Sequence, residues 1–201
     1  HFPSIKNNTS IGFESKLEKA HFLSLEFDNE VISYQEQPQI EICINGNDKI
    51  YSADCYIKRS KNSNKKDSIV EVKYTNEIEK RKEYFEKKFE AAKTSANKLN
   101  LDFEIYTEKI HSEIYLDNLD FLYRYKLQPI ENKYEDQILA TIINKNNKIS
   151  AFDLANLISE NPIEYGLISN CIWDLVCKEK LKTNLELSKI TMNSLVELSY
   201  E

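Results

Sequence analysis

The chain has 201 residues, with 27 Lys and Arg against 33 Asp and Glu and a formal net charge of −6. Its 41% apolar and 30% charged residues are typical of one folded domain or two small ones, not of a disordered chain. A protein that grips DNA unaided normally carries a basic excess, so a DNA role here would need local patches or partners.

No apolar run approaches the roughly 18 residues that a membrane span needs, and no secretory leader or lipidation signal is visible. We therefore expect a soluble, cytoplasmic protein that contacts no membrane. The four cysteines lack CxxC spacing and the three histidines are scattered, so we predict reduced thiols and no zinc site. Because the chain begins with His1 and not with Met, we also expect residues before it.

The first half of the chain predicts an α/β domain with a mixed sheet. Apolar residues recur at helical spacing from Phe13 to Phe27, and a second, longer helix is predicted from Thr75 or Asn76 to about Leu99. Alternating or β-branched runs predict strands at 31–34, 39–44, 49–58, 68–74 and 101–106. No glycine-rich loop follows any of these strands, which excludes a doubly wound nucleotide fold.

The second half predicts a separate helical domain after a linker at Tyr123–Gln128. Helices are predicted at 135–144, from Ser150 to about Ser159, and from Asn161 to about Lys178. An alternating stretch at 181–187 would complete a terminal hairpin. Three short helices and a hairpin indicate an all-α, winged-helix-like domain, so the predicted domains are 1–128 and 132–201.

Asp54 and the run Glu71-Val72-Lys73 form the most informative constellation in the sequence. In a strand, residues 71 and 73 point to the same face, so Glu71 and Lys73 can enter one site while the Val72 carbonyl remains available as a ligand. Asp54 is predicted near the middle of the neighbouring strand. Carboxylate oxygens suit Mg²⁺ better than zinc, and a lysine beside the metal can orient an attacking water.

This arrangement resembles the PD-(D/E)xK nucleases, with Ala53 in place of the usual proline. Further stretches resemble TnsA, the endonuclease subunit of heteromeric, Tn7-like cut-and-paste transposases. They are Phe13–Glu18, Phe22–Asp28, Gln35–Pro38, Tyr51–Asp54, Val70–Lys73 and Leu119–Tyr125. The resemblance spans about residues 13–126 and implies a restriction-endonuclease-like core followed by a winged-helix domain.

The same resemblance implies the roles of individual residues. It places a helix carboxylate on Glu18, so that Glu18, Asp54 and Glu71 with the Val72 carbonyl would bind one or two Mg²⁺ ions, for which Mn²⁺ would substitute. Lys73 would orient the water. The implied activity is hydrolysis of the 5′, non-transferred strand at transposon ends. The implied setting is bacterial or phage, with the assembled protein associated with the nucleoid. The implied partners are double-stranded DNA, the DDE transposase TnsB and the AAA+ regulator TnsC.

A basic loop between two predicted strands is the candidate DNA contact. It carries Lys58, Arg59, Lys61, Lys65 and Lys66, which would lie against a DNA backbone near the metal site. A solvated hairpin tip would account for the same run. Two other functions stay open: a stand-alone restriction-type or phage nuclease, and a catalytically silent DNA-binding assembly subunit.

Overall fold

The computed structural model describes residues 1–199 and divides the chain into two compact units, His1–Ser112 and Glu113–Glu201. The described part contains seven helices and eleven strands, a mixed α/β composition. None of the helices in this part is long and apolar enough to cross a membrane.

The first unit contains eight strands and three helices. The strands are β1 (Phe2–Ser4), β2 (Thr9–Ile11), β3 (Val31–Glu36), β4 (Gln39–Ile44), β5 (Asn47–Ser52), β6 (Cys55–Arg59), β7 (Ser68–Val72) and β8 (Asp102–Tyr106). The helices are α1 (Lys16–Phe27), α2 (Thr75–Lys80) and α3 (Lys82–Lys98).

A four-stranded sheet in the order β3–β6–β7–β8 forms the centre of this unit. β3, β6 and β7 are antiparallel neighbours, whereas β7 and β8 run parallel because α2 and α3 connect them. The predicted mixed sheet is therefore confirmed. All five residues of β7 are buried, including the polar Ser68 and Glu71, so both faces of this strand are covered.

The helix predicted from Phe13 begins three residues later, at Lys16, because Ser15 caps it. The Ser15 hydroxyl accepts a hydrogen bond from the Glu18 N–H, which satisfies one of the free donors of the first turn. Leu17, Phe22 and Leu25 are buried on the apolar face of the helix.

Two elements predicted as continuous are interrupted. The strand expected at 49–58 consists of β5, which pairs with β4 in a hairpin, and β6, which belongs to the central sheet. The chain changes partner at Ala53 and Asp54, whose N–H groups bind the Pro38 carbonyl and the Val70 carbonyl. The long helix is divided at Arg81, whose φ of −127° and ψ of 37° lie outside the helical region.

The second unit contains four helices and a three-stranded sheet, so it is not all-α as expected. The helices are α4 (Glu113–Leu127), α5 (Glu135–Asn144), α6 (Ala151–Ile158) and α7 (Pro162–Cys177). The strands are β9 (Lys148–Ser150), β10 (Leu181–Lys182) and β11 (Leu195–Leu198), in the order β10–β11–β9. The predicted limits of α5 are confirmed, as are the N-caps Ser150 and Asn161.

The linker expected at 123–128 is wrong, because α4 continues to Leu127. Its apolar face packs within the second unit: the Phe121 ring meets the Trp173 ring edge-on at 5.9 Å, and Tyr123 and Tyr125 are buried. The division between the units consequently falls at 112/113 and not at the expected 128–132.

Candidate active site

Asp54 lies where the chain passes from the β4–β5 hairpin into the central sheet, not within a strand as expected. Its own N–H donates to the Val70 carbonyl, and its Oδ2 accepts a 2.7 Å hydrogen bond from the Val72 N–H. Two main-chain contacts to β7 therefore hold the Asp54 carboxylate at the end of that strand.

Glu71 and Lys73 project to the side of the sheet where Asp54 lies. The Lys73 Nζ is 3.5 Å from Asp54 Oδ2 and 3.7 Å from Glu71 Oε1. Val72 lies between them with its side chain in the core. The structure thus brings together three of the residues that the sequence placed in one site.

Two residues that the sequence analysis missed hold Glu71. The Tyr51 hydroxyl donates to Glu71 Oε2, and the Lys88 ammonium donates to Glu71 Oε1 at 2.9 Å. The Lys88 Nζ also lies 4.6 Å from the centroid of the Tyr51 ring. A sequence signal for Lys88 exists, since it follows Phe85 by three residues and precedes Ala92 by four, on the buried stripe of α3.

Burial and charge set the protonation of the site. Burial, followed by repulsion from Glu71, raises the pKa of Asp54, although the Val72 N–H and Lys73 counteract this. Burial lowers the pKa of Lys73, but attraction to Asp54 and Glu71 outweighs it, and the net pKa is raised. Lys73 is therefore a stable cation. Burial and the Glu71 charge also raise the pKa of Tyr51, which keeps its hydroxyl a donor.

Glu18 does not join this cluster directly. The Ser15 hydroxyl donates to Glu18 Oε1 at 2.8 Å and the Glu14 N–H donates to Glu18 Oε2 at 2.9 Å, so both oxygens serve the N-terminus of α1. Its charge still contributes to the raised pKa of Asp54. Within residues 1–199, no group of three Asp, Glu, His or Cys side chains is arranged to hold a metal ion. The expected convergence of three carboxylates is therefore not observed.

The remaining donor set nonetheless fits a hard divalent cation. Mg²⁺ is commonly bound by one or two carboxylates, with water and substrate phosphate completing its shell. Asp54 and Glu71 supply such oxygens, and repulsion from Glu71 adds to burial in raising the pKa of Asp54. A cation between them would relieve that repulsion.

The basic loop lies at the far end of the sheet from Asp54. It follows β6, whereas Asp54 precedes β6, and five residues of strand separate the two ends by roughly 16 Å. The expectation that the loop lies near the metal site is therefore wrong. Lys58, Lys61, Lys65 and Lys66 are exposed there.

Arg59 differs from these four lysines, because its guanidinium is buried. It forms ion pairs with Asp28 at 3.5 Å and Glu104 at 3.0 Å, and its Nε donates to the Lys66 carbonyl. These three contacts fix the base of the loop.

Comparison with known proteins identifies the first unit. Residues 28–108 match the family model described as TnsA-like endonuclease N terminal, a span that includes Asp54, Glu71, Lys73 and Lys88 but not Glu18. The first unit is therefore an α/β domain of the endonuclease class. Over this domain the chain is similar to the TnsA family, and the resemblance noted in the sequence is confirmed. No curated protein matches the chain significantly.

Proposed function

We propose that this chain is the metal-dependent DNA endonuclease subunit of a cut-and-paste transposase and hydrolyses the 5′, non-transferred strand at transposon ends. The observation that supports the proposal is the position of the Lys73 ammonium, within 4 Å of both Asp54 and Glu71 in the segment that matches the family. Two carboxylates and a lysine at one strand end have the chemistry that phosphodiester hydrolysis needs.

Each residue of the cluster has a separate part in this chemistry. Asp54 and Glu71, with the Val72 carbonyl, would hold one or two Mg²⁺ ions, or Mn²⁺ in their place. When bound, the metal supplies Lewis-acid stabilisation of the phosphate and a more acidic water. Lys73 orients that water and offsets negative charge that builds on the phosphoryl group. Glu18 would act from further out, through water. The products would be a 5′-phosphate and a 3′-hydroxyl.

The two units would correspond to a PD-(D/E)xK core and a winged-helix domain. In the first, the start of β6 and the end of β7 position the site residues, and α1 and α3 flank the sheet. In the second, α6 and α7 would form the helix-turn-helix, and the sheet β10–β11–β9 would supply the wing. The two predicted caps at Ser150 and Asn161 begin both helices of this motif.

The net charge supports dependence on partners. A chain with a formal charge of −6 gains little non-specific affinity for DNA phosphates. We therefore infer that the transposase complex recruits this chain to transposon ends. In that complex, the transposase TnsB would act on the 3′ ends and the regulator TnsC would be a second partner.

A catalytically silent assembly subunit is the second candidate. The observation in its favour is Glu18, whose oxygens both serve the helix cap, so that the described residues contain no three-carboxylate metal group. In that role the same fold would bind partners and DNA without cleaving it.

A plasmid-nicking assay separates the candidates. Supercoiled plasmid carrying transposon ends is incubated with the chain and Mg²⁺ or Mn²⁺, with and without the transposase and regulator. Asp54→Ala tests the site, and Glu41→Gln, an exposed carboxylate on β4, is the matched control. Nicking that needs partners and Asp54 supports the proposal. Efficient nicking without partners indicates a stand-alone nuclease, and no nicking under any condition indicates the silent subunit.

A further inference from the structure

A cleft of about 440 Å³ opens between the β4–β5 hairpin and α3. Three lysines line it: Lys49 from the hairpin, and Lys87 and Lys88 from the helix. Ile50, which is 64% exposed, and the rings of Tyr51 and Tyr84 supply its apolar surface. Among the described residues that line this cleft, none is acidic. In a chain of net negative charge, the cleft is a local basic surface.

The cleft ends at the candidate active site, because Lys88 and Tyr51 belong to both. Each lines the cleft and each donates a hydrogen bond to Glu71. The Arg81 guanidinium lies 4.3 Å from the centroid of the Tyr84 ring, which places one more cation beside a residue that lines the cleft. A polyanion in the cleft would therefore lead directly to the residues placed around the reacting phosphate.

We propose that this cleft binds the DNA backbone next to the scissile phosphate, with Lys49 and Lys87 contacting phosphates and Tyr84 and Ile50 contacting sugar or base. The inference rests on the proposed nuclease function and adds the path of its substrate. Lysines interleaved with aromatic rings are the chemistry that binds nucleic-acid strands. Within the described part of the chain, neither Lys49 nor Lys87 forms an ion pair, so both ammonium groups are available to phosphates.

The cleft also replaces the loop at 58–66 as the nearest basic surface to the site. The loop lies at the opposite end of β6, whereas Lys88 touches Glu71 itself. Continuity with a phosphodiester-cleaving site favours DNA over an acidic peptide as the occupant.

The test compares two double variants of the full chain. Lys49→Gln with Lys87→Gln removes two charges from the cleft, and Lys82→Gln with Lys93→Gln removes two exposed charges from α3 outside it. Binding of a short fluorescent duplex is measured by anisotropy in Ca²⁺, from low to physiological salt. Thermal melting checks that each variant is folded.

We expect the cleft variant to bind the duplex roughly tenfold more weakly than the wild type. The slope of log K against log salt should be shallower by about 2, because each lost phosphate contact lowers the number of counterions released on binding by about one. The control variant should bind like the wild type. Equal losses in both variants, an unchanged slope, or no wild-type binding even at low salt would overturn the proposal. So would selective loss of poly-glutamate binding with duplex binding intact, which indicates an acidic peptide.

Failure of the cleft and failure of the nuclease are distinguishable. If the wild type nicks DNA and the cleft variant binds and nicks equally well, the cleft assignment is wrong and the nuclease function stands. If the cleft variant loses duplex binding while no protein nicks DNA under any condition, the cleft assignment stands and the nuclease function is wrong.

Discussion

Substitutions of the two lysines that contact Glu71 should rank in opposite order for their effects on stability and on cleavage. Lys88 donates a 2.9 Å charged hydrogen bond to a carboxylate whose side chain is 2% exposed. Such bonds contribute about 1.5–3 kcal/mol, so Lys88→Met should lower the free energy of unfolding by roughly 2 kcal/mol. Lys73 is 27% exposed and its ion pairs are 3.5 and 3.7 Å long, so Lys73→Met should cost less than about 1 kcal/mol.

Cleavage should follow the reverse order. Lys73 is placed to orient the water and to offset charge on the phosphoryl group, so Lys73→Met should reduce the nicking rate by roughly 10²–10³-fold. Lys88→Met should reduce it by about tenfold, because Glu71 retains Tyr51 and Lys73 as partners while the cleft loses one cation. Methionine keeps the length of the lysine stem in both variants.

Urea denaturation and the nicking assay measure the two effects on the same preparations. Lys82→Met is the control, since Lys82 lies on the same helix as Lys88, is largely exposed and pairs only loosely with Glu86. It should change neither quantity. The reasoning is refuted if Lys73→Met unfolds more easily than Lys88→Met, or if Lys73→Met nicks DNA at the wild-type rate.

Three further predictions concern the other site residues, acid stability and the unit boundary. Asp54→Ala should abolish both cleavage and Mn²⁺ binding, the latter measured by calorimetric titration. Glu18→Ala should weaken Mn²⁺ binding less and should lower the melting temperature, because the cap of α1 is lost. The opposite order of Mn²⁺ affinities would contradict the assignment. Burial lowers the pKa of His21 from 6.5 to about 3, so only the unfolded chain binds a proton at this residue as the pH falls below 6.5. His21 should therefore cost about 2 kcal/mol of stability at pH 5. Urea denaturation at pH 7 and pH 5 should show this loss in the wild type and not in His21→Leu. A fragment of residues 113–201 should melt cooperatively by circular dichroism, while residues 132–201 should not because they lack α4, and equal melting of both would refute the boundary.

The accurate predictions rest on residues that lie close together in the sequence. The starts of α6 and α7 follow from Ser150 and Asn161, whose side chains bind N–H groups two or three residues ahead in the chain. The shared face of Glu71 and Lys73 follows from the period of a strand. In each case the atoms that decide the geometry lie within a few residues of one another, so a short sequence pattern is enough to predict the geometry.

The errors arose where distant contacts decide the structure. The strand is interrupted at Asp54 because the Ala53 N–H binds the Pro38 carbonyl, whereas the Asp54 N–H binds the Val70 carbonyl of β7, and neither partner is adjacent in sequence. α4 extends through the expected linker because its face packs on α7. Within it, the buried Asn118 amide donates to the Leu185 and Ser188 carbonyls and accepts from the Ile190 N–H, about 70 residues away. No window of local sequence contains these contacts.

The negative charges of Glu71 and Asp54 are compensated unequally, which indicates how the site is organised for its ligand. Glu71 is fully buried, and a buried charge is costly unless it is paired, which Tyr51 and Lys88 achieve from two sides. Asp54 accepts a hydrogen bond from one main-chain N–H and forms an ion pair with Lys73, which also pairs with Glu71, and the pKa of Asp54 is raised. Glu71 is thus fixed as part of the fold, whereas Asp54 remains the carboxylate that gains most from a nearby cation. For that reason we expect Asp54, more than Glu71, to set the affinity of the site for divalent metal.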